Sequence, residues 1–285
     1  MKLLFKYAIL LSALLMISAF DAAAQGSMLK RTTYKTDQFD FGVGGTVAIV
    51  GAPQGSIRVE GTSRNQIEVS AEITVEATTA ADLETMSTVT GFVLDESLGR
   101  TGIVSVGTHD KKYLKRALKK VPKNLASLPY RIDYTVKVPR YCDLQIDGGR
   151  GDLTISGVEG TMRLNFLETK AKLDLIGGSI TGVFGGGDVD VLIGSRGWRG
   201  RFVDIQVANG TMNLWLPTGL NADFDAAILR TGKIENQFEG IRPRARHAEF
   251  TERLIQGKAG SGGVPLKFTV GDGTLHIAAV PKLEN

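Results

Sequence analysis

The feature that most constrains the fold of this chain is a short repeated pattern, in which a glycine precedes alternating apolar residues. From Cys142 to Arg196 the pattern recurs every nine residues, and all but two of the third and fifth positions in its seven frames are apolar. Short strands separated by glycine turns at a regular interval are typical of a solenoid, where each coil buries its apolar face on the next. Seven copies begin at Gly55, Gly151, Gly160, Gly178, Gly187, Gly210 and Gly273. The apolar frame residues are Leu144, Ile146, Leu153, Ile155, Met162, Leu164, Ala171, Leu173, Ile180, Val189, Val191 and Trp198.

The sequence therefore predicts an all-β fold, a single-stranded β-solenoid whose regular nine-residue repeats occupy residues 142–200. We expect it to be right-handed, because connections between parallel strands are right-handed. If one coil contains two nine-residue frames, then Lys170 stacks between Asp152 and Asp188. A neighbouring column would contain Thr154, Lys172 and Asp190. Opposite charges on adjacent strands would then alternate along the stack.

Before the repeats, the sequence pattern predicts strands from residue 41 to 76. A helix-containing insert is predicted to follow at about 79–127. Thr79 and Asp82 form a capping box that predicts the start of the first helix. Asp110 is placed to cap a second helix, which we expect Pro122 to end because proline interrupts helical hydrogen bonding. After Pro217 the periodicity becomes weaker. The sequence contains no proline- or serine-rich linker, which favours one domain.

The N-terminal segment resembles an export signal. Lys2 and Lys6 precede an apolar run from Tyr7 to Phe20, and Ala22–Ala24 provide small residues for cleavage. Residues 1–24 are thus predicted to be a signal peptide, with residues 25–285 forming one exported solenoid domain and no transmembrane span after cleavage. The formal net charge is +4, too small to indicate nucleic acid binding. The single cysteine, Cys142, excludes an internal disulfide and is interpreted as a small packed residue.

Three motifs recur in this type of repeat: Tyr134-x-Val136-x-Val138-Pro139, the Gly151-Asp152-Leu153-x-Ile155-x-Gly157-x-x-Gly160 run and the terminal Gly271-Asp272-Gly273-Thr274-Leu275-x-Ile277. They resemble motifs of the bacterial putative-adhesin family of exported β-solenoid domains. The similarity extends over roughly residues 40–280. It implies a β-helix-like fold and a location in the periplasm, at the outer membrane or outside the cell. The family offers no catalytic residues to transfer to this chain.

The sequence gives little support to catalysis. His109, His247 and His276 are scattered and match no zinc motif. The run from Gly148 to Asp152 starts like a calcium-binding repeat, but Leu153 replaces the required aspartate. We therefore predict no metal, no cofactor and no enzymatic activity. One alternative is a polysaccharide-active enzyme on the same fold, with Asp188 and Asp190 as its acid pair. Another is a scaffold whose copies stack end to end.

Two features predict binding to a polysaccharide, an anionic envelope surface or another protein. The first is a basic stretch opposite Leu114, Leu118 and Val121, which is suited to anionic surfaces. It contains Lys111, Lys112, Lys115, Arg116, Lys119, Lys120 and Lys123. The second is Trp215, which alternates outward and is suited to stacking on a sugar ring. The alternative interpretations are a solvated helix face and a tryptophan without a ligand. The sequence thus favours a non-catalytic binding or structural module.

Overall fold

The computed structural model describes residues 28–42, 44–97, 99–118, 124–194, 198–245 and 249–281. Of these, 65% lie in strands and 8% in helices, so the fold is all-β. The N-terminal strands are β1 (Leu29–Asp40), β2 (Thr46–Val50), β3 (Ile57–Thr62), β4 (Gln66–Ala77), β5 (Gly91–Ser97), β6 (Arg100–Val106), β7 (Tyr130–Pro139), β8 (Asp143–Arg150) and β9 (Leu153–Ser156). The later strands are β10 (Gly160–Leu175), β11 (Gly178–Phe184), β12 (Gly187–Ile193), β13 (Phe202–Leu216), β14 (Ala222–Asn236), β15 (Ile241–Pro243), β16 (Leu254–Ala259) and β17 (Pro265–Ala279). The helices are α1 (Ala80–Val89), α2 (Lys111–Ala117) and a 3₁₀ turn at Leu125–Ser127.

The regular region is built from parallel strands whose partners are two nine-residue frames apart in the sequence. The first half of β10 pairs with β8 and β11, and its second half pairs with β9 and β12. Lys170 is opposite Asp188, and Lys172 is opposite both Thr154 and Asp190. This register confirms that residues two frames, or 18 positions, apart are neighbours on parallel strands. Strands β10 and β13 each pair with both β11 and β12, so β10, β11, β12 and β13 form a small closed parallel barrel.

The predicted core positions are confirmed. Every apolar frame residue is buried, and the most exposed of them, Trp198, has only 7% of its surface exposed. They belong to one continuous hydrophobic cluster that also includes Val59 and Phe224. Cys142 is buried in the same cluster, and this burial raises the pKa of its thiol to about 12.

Where a frame starts with glycine, close contact with the neighbouring strand requires it. A β-carbon on Gly187 would lie 1.9 Å from the carbonyl oxygen of Thr169 on the neighbouring coil, and the Gly187 φ of 113° is rarely adopted by other residues. Gly187 and Thr169 are 18 residues apart, so the turns that touch are separated by two frames in the sequence.

The C-terminal part departs from sequential stacking. Strand β17, the last in the chain, lies between β13 and β14 and is parallel to both. Phe268 is paired with Ile205 on one side and with Ala226 on the other. The expectation that each coil stacks on the next along the chain is therefore wrong here. All coils share the same apolar alternation, so the pattern alone does not encode their order.

The N-terminal end of the stack is covered by β1, α1 and the β5–β6 hairpin. Strand β1, which the sequence analysis does not predict, pairs antiparallel with β4. Its Arg31 bonds Glu84 of α1, and its Lys35 donates to the Phe92 carbonyl oxygen. Most residues of β1 are exposed, so the strand has no apolar alternation from which it can be predicted.

Both predicted helix caps are confirmed. Thr79 accepts a hydrogen bond from the Asp82 amide, and Asp110 accepts from two amides of α2. Helix α2, however, ends at Ala117, because Leu118 is already extended. The prediction that it continues to Pro122 is wrong at Leu118, and residues 119–123 lie outside the described residues. The predicted signal peptide also lies outside them.

The C-terminal end is covered by the antiparallel pair β15–β16, which continues the sheet beyond the first half of β14. The outer edge of the second half of β14 is also occupied, since the Ile234 amide donates to the Glu252 carbonyl oxygen over 2.6 Å. Both ends of the described stack are thus shielded, as terminal repeats generally are.

Candidate functional site

Trp215 is positioned by the alternation of β13. Its neighbours Leu214 and Leu216 are buried, so its own side chain points outward and is partly exposed. In register it lies between Leu192 of β12 and Ala278 of β17, both of which are also partly exposed. These three residues form an apolar row that crosses the strands, with the indole ring at its centre.

A polar row runs beside the apolar row, two residues earlier on each strand. In order across the sheet it contains Asp190, Asn213, His276 and Glu235, on β12, β13, β17 and β14. Residues two apart on a strand point to the same face. The polar row and the indole therefore face the same solvent region.

Hydrogen bonds hold the polar row in place. The Asn213 amide donates to Asp190 Oδ1 over 2.7 Å, and His276 Nδ1 lies 2.9 Å from Glu235 Oε2. Lys233 Nζ lies 2.5 Å from the other oxygen of Glu235. The hydrogen bond from Lys233, together with the neighbouring His276, holds the pKa of Glu235 below its ordinary value. Glu235 is therefore an ionised acceptor at neutral pH.

We call the surface formed here the Trp215 groove. It encloses about 300 Å³. Its lining residues are Asn213, Leu214, Trp215, Glu235, Gln237, His276, Ile277 and Ala278. The groove offers one aromatic face, two amides, one carboxylate and one imidazole. These groups stack against, and hydrogen-bond to, hydroxyl-bearing molecules.

The sequence analysis names Trp215, Asp190 and His276 separately, but it does not place them together, and it does not name Asn213 or Glu235. Asp190, Asn213 and His276 share one signal, because each stands three residues after a glycine that begins a frame. Glu235 stands three residues after Gly232, which lies against Gly273 in the structure. That signal becomes useful only when the order of the coils is known. In chain order β15 and β16 lie between the strands of Glu235 and His276, whereas in space those two strands are adjacent.

Each carboxylate of the predicted acid pair, Asp188 and Asp190, has a neighbour on the adjacent strand. Asp188 lies opposite Lys170, and Asp190 binds the Asn213 amide. Within the described residues, no nitrogen of Lys170 or Lys172 lies within 4.0 Å of an oxygen of Asp188 or Asp190. The predicted alternation of charges is therefore present in the strand register but not as direct ion pairs. Asp190 and Glu235 are three strand spacings apart, about 14 Å at ~4.8 Å per strand. Glycosidase carboxylates lie at most about 9.5 Å apart.

The predicted basic surface is only partly described. Lys111, Lys112, Lys115 and Arg116 lie on α2 and are exposed, opposite the buried Leu114. Lys119, Lys120 and Lys123 lie outside the described residues. Helix α2 follows β6 near the N-terminal end of the stack, whereas Trp215 is on β13. The structure does not join the two predicted sites in one surface.

The two described histidines, His109 and His276, are found in different parts of the fold. His109 hydrogen-bonds the Tyr130 hydroxyl group, and burial lowers its pKa. His276 lines the Trp215 groove, and His247 lies outside the described residues. Among the residues that the structure describes, no group of three or more His, Cys, Asp or Glu is placed to bind a metal ion.

Comparisons with known proteins give distant structural likenesses. No family model and no curated protein sequence matches the chain. A putative cell adhesion protein from Clostridium sporogenes ATCC 15579 aligns at 13% identity and a TM-score of 0.43, covering 88% of this chain and 100% of that one. A putative adhesin from Bacteroides fragilis NCTC 9343 and a putative lipid binding protein from Parabacteroides distasonis ATCC 8503 each align at 11% identity and a TM-score of 0.26, covering 86% of this chain and 97% of theirs. The proposals below depend on this chain's own residues.

A search of the described helices finds none that is both long enough and apolar enough to span a membrane.

Proposed function

We propose that this protein is a non-catalytic, exported binding module of the adhesin type, and that it holds a polysaccharide in the Trp215 groove. One observation carries the proposal, namely the outward indole beside a row of fixed hydrogen-bonding groups. Sugar rings present apolar C–H faces and polar edges, so an aromatic face next to amide and carboxylate groups matches both. Periplasmic, outer-membrane-associated and secreted locations all fit this role.

The fold that we propose for this role is a right-handed β-solenoid forming one domain over residues 25–285, after a signal peptide at 1–24. The parallel two-frame register and the shared core support it. Such a stack presents long, flat outer faces, and the groove lies on one of them. The resemblance of the sequence motifs to the putative-adhesin family favours the same assignment.

The experiment is a glycan-binding assay with residues 25–285. The Trp215→Ala protein should bind the best glycan at least about tenfold more weakly, a loss equivalent to ~1.4 kcal/mol. Tyr34→Ala is the matched control, because Tyr34 is 73% exposed on β1, away from the groove. Equal binding by wild type and Trp215→Ala, or an equal loss in Tyr34→Ala, would contradict the proposal.

The basic helix is a second proposed contact, with an anionic envelope surface. Its described cations are exposed, as such binding requires. Reversing the charges of Lys112, Lys115 and Arg116 should weaken binding to anionic vesicles, and added salt should weaken wild-type binding. Salt-insensitive binding, unchanged by the reversal, would reject this contact.

End-to-end stacking of copies has less support. Strand β1 carries charged residues and β14 has its outer edge occupied, features by which proteins protect sheet edges from pairing. A monomer in sedimentation experiments across a wide concentration range is the expected result.

One observation favours polysaccharide cleavage as the second candidate function. Asp174 lies opposite Leu192, at the end of the apolar row, and burial raises its pKa. Asp190 is its diagonal neighbour on β12, so a carboxyl group that retains its proton to higher pH lies close to a second carboxyl group. Release of reducing ends by wild-type protein, abolished in Asp174→Asn and Asp190→Asn, would establish this function in place of simple binding.

A further inference from the structure

Resting on the proposed function, we propose that the ligand of the Trp215 groove is an uncharged linear polysaccharide, and that it lies across the strands, along the axis of the stack. The inference concerns both the charge of the ligand and its direction. Each follows from a separate feature of the groove.

The direction follows from the two rows. The apolar row of Leu192, Trp215 and Ala278 and the polar row from Asp190 to Glu235 both cross the strands at right angles. Each step is one strand spacing, about 4.8 Å, which is comparable to the length of one sugar ring in an extended chain. A glycan along this axis places ring faces on the apolar row and hydroxyl groups against the polar row. A glycan parallel to the strands would leave both rows after one ring.

The charge follows from the groups that line the groove. As the structure describes it, the lining contains no lysine or arginine. Its ionised group is the carboxylate of Glu235, and the nearby Lys233 ammonium is already held by that carboxylate. Asp190, one strand beyond the lining, adds a second carboxylate to the row, and Lys172 is opposite it on β10. Within the lining itself, an anionic sugar would face the Glu235 carboxylate and no lysine or arginine, and such juxtaposition of like charges disfavours binding.

The neutral groups favour hydroxyl and acetamido substituents. Asn213 donates one amide hydrogen to Asp190, which fixes the amide plane and leaves its carbonyl oxygen as an acceptor. Gln237, exposed at the rim, carries a second amide. Amides both donate and accept, as hydroxyl groups do, so the groove can satisfy a sugar edge without a net charge on the ligand.

The charge is tested with matched polymers that share a backbone. Affinity electrophoresis would compare hydroxyethyl cellulose with carboxymethyl cellulose, and methyl-esterified with unesterified polygalacturonate. The neutral member of at least one pair should retard wild-type protein, with at least about tenfold weaker retardation by its anionic partner. The ratio of retardation by the neutral polymer to retardation by the anionic polymer should be smaller for the Asp190→Asn/Glu235→Gln protein. It should be unchanged for Asp95→Asn, because Asp95 is exposed on another strand.

The outcomes separate the two claims. Equal or tighter binding of the anionic polymer overturns this inference. If that binding is lost in Trp215→Ala, the proposed function still stands. No retardation by any polymer counts against the proposed function itself, and against this inference with it.

The direction is tested by length. A neutral hexasaccharide should bind at least about fivefold more tightly than the corresponding disaccharide, because the polar row extends over four strands, and longer chains should add little. Equal affinity for the disaccharide and the hexasaccharide would overturn the along-axis placement, even if Trp215→Ala abolishes both.

Discussion

Gly210 lies directly on Gly187 of the neighbouring coil, so closely that a β-carbon on Gly210 would be 2.0 Å from the Gly187 carbonyl oxygen. The Gly210 φ of 139° is also unfavourable for any residue with a side chain. Contact between turns of this kind converts the repeated glycines of the sequence into a stack of coils.

Substitution of Gly210 by alanine should therefore destabilise the protein severely, because the clash is with backbone rather than with a flexible side chain. Gly42→Ala is the matched control, since a β-carbon at Gly42 would meet no atom within 4 Å. Thermal denaturation followed by circular dichroism should show a large decrease in Tm for Gly210→Ala alone. Similar Tm values for the two variants would contradict the stacking described here.

The core makes a quantitative prediction at Leu153. This side chain is fully buried, between Ile57 and Ala171 in register. Leu153→Ala should lower the free energy of unfolding by about 2–5 kcal/mol, through lost burial and the cavity left behind. Leu167→Ala, at a side chain that is 56% exposed, should change it by much less. Urea denaturation of both variants measures the difference.

Much of the fold follows from the sequence because the glycines and the apolar alternation report directly on turns and inward positions. The coil length, the core from Leu144 to Trp198 and the helix caps at Thr79 and Asp110 are all determined locally. Strand β1 is held by pairing with β4 and by the Arg31–Glu84 ion pair to α1, which leave no periodic signal. The polar residues of the groove required the coil order, which a pattern common to all coils does not contain.

The place of β17 predicts unusual protection for a C-terminal segment. Because β17 is hydrogen-bonded on both sides and carries fully buried Leu266 and Phe268, its amides should exchange with solvent only when the whole stack unfolds. Strand β1, which in the described chain pairs with β4 alone, should exchange faster. Hydrogen exchange measured by mass spectrometry tests this. Exchange of residues 265–279 as fast as that of residues 29–40 would contradict the inserted position.

Asp272 predicts a specific pH dependence. Hydrogen bonds from Arg230 and Thr231 lower the pKa of Asp272 to about 2 from an ordinary value of 3.8. A carboxyl group with a depressed folded-state pKa stabilises the protein above its unfolded-state pKa, and this stabilisation is lost as the pH falls through the folded-state value. The difference in Tm between wild type and Asp272→Asn should therefore shrink between about pH 4 and pH 2.

The Arg230→Ala background provides the control for this effect. Without the guanidinium group, the Asp272→Asn substitution should cause a smaller decrease in Tm at pH 6. If the difference in Tm between wild type and Asp272→Asn stays constant from pH 6 to pH 2, the lowered pKa of Asp272 is contradicted.

The central claim is that Trp215 contacts a polysaccharide, and its fluorescence tests this most directly. In the Trp198→Phe protein Trp215 is the single tryptophan of the chain, and its emission should shift to shorter wavelength as a neutral glycan covers the indole. In Trp215→Phe the remaining Trp198, buried and bonded through its indole nitrogen to the Gly178 carbonyl oxygen, should show no shift. An unchanged Trp215 emission at glycan concentrations that saturate binding would contradict the account.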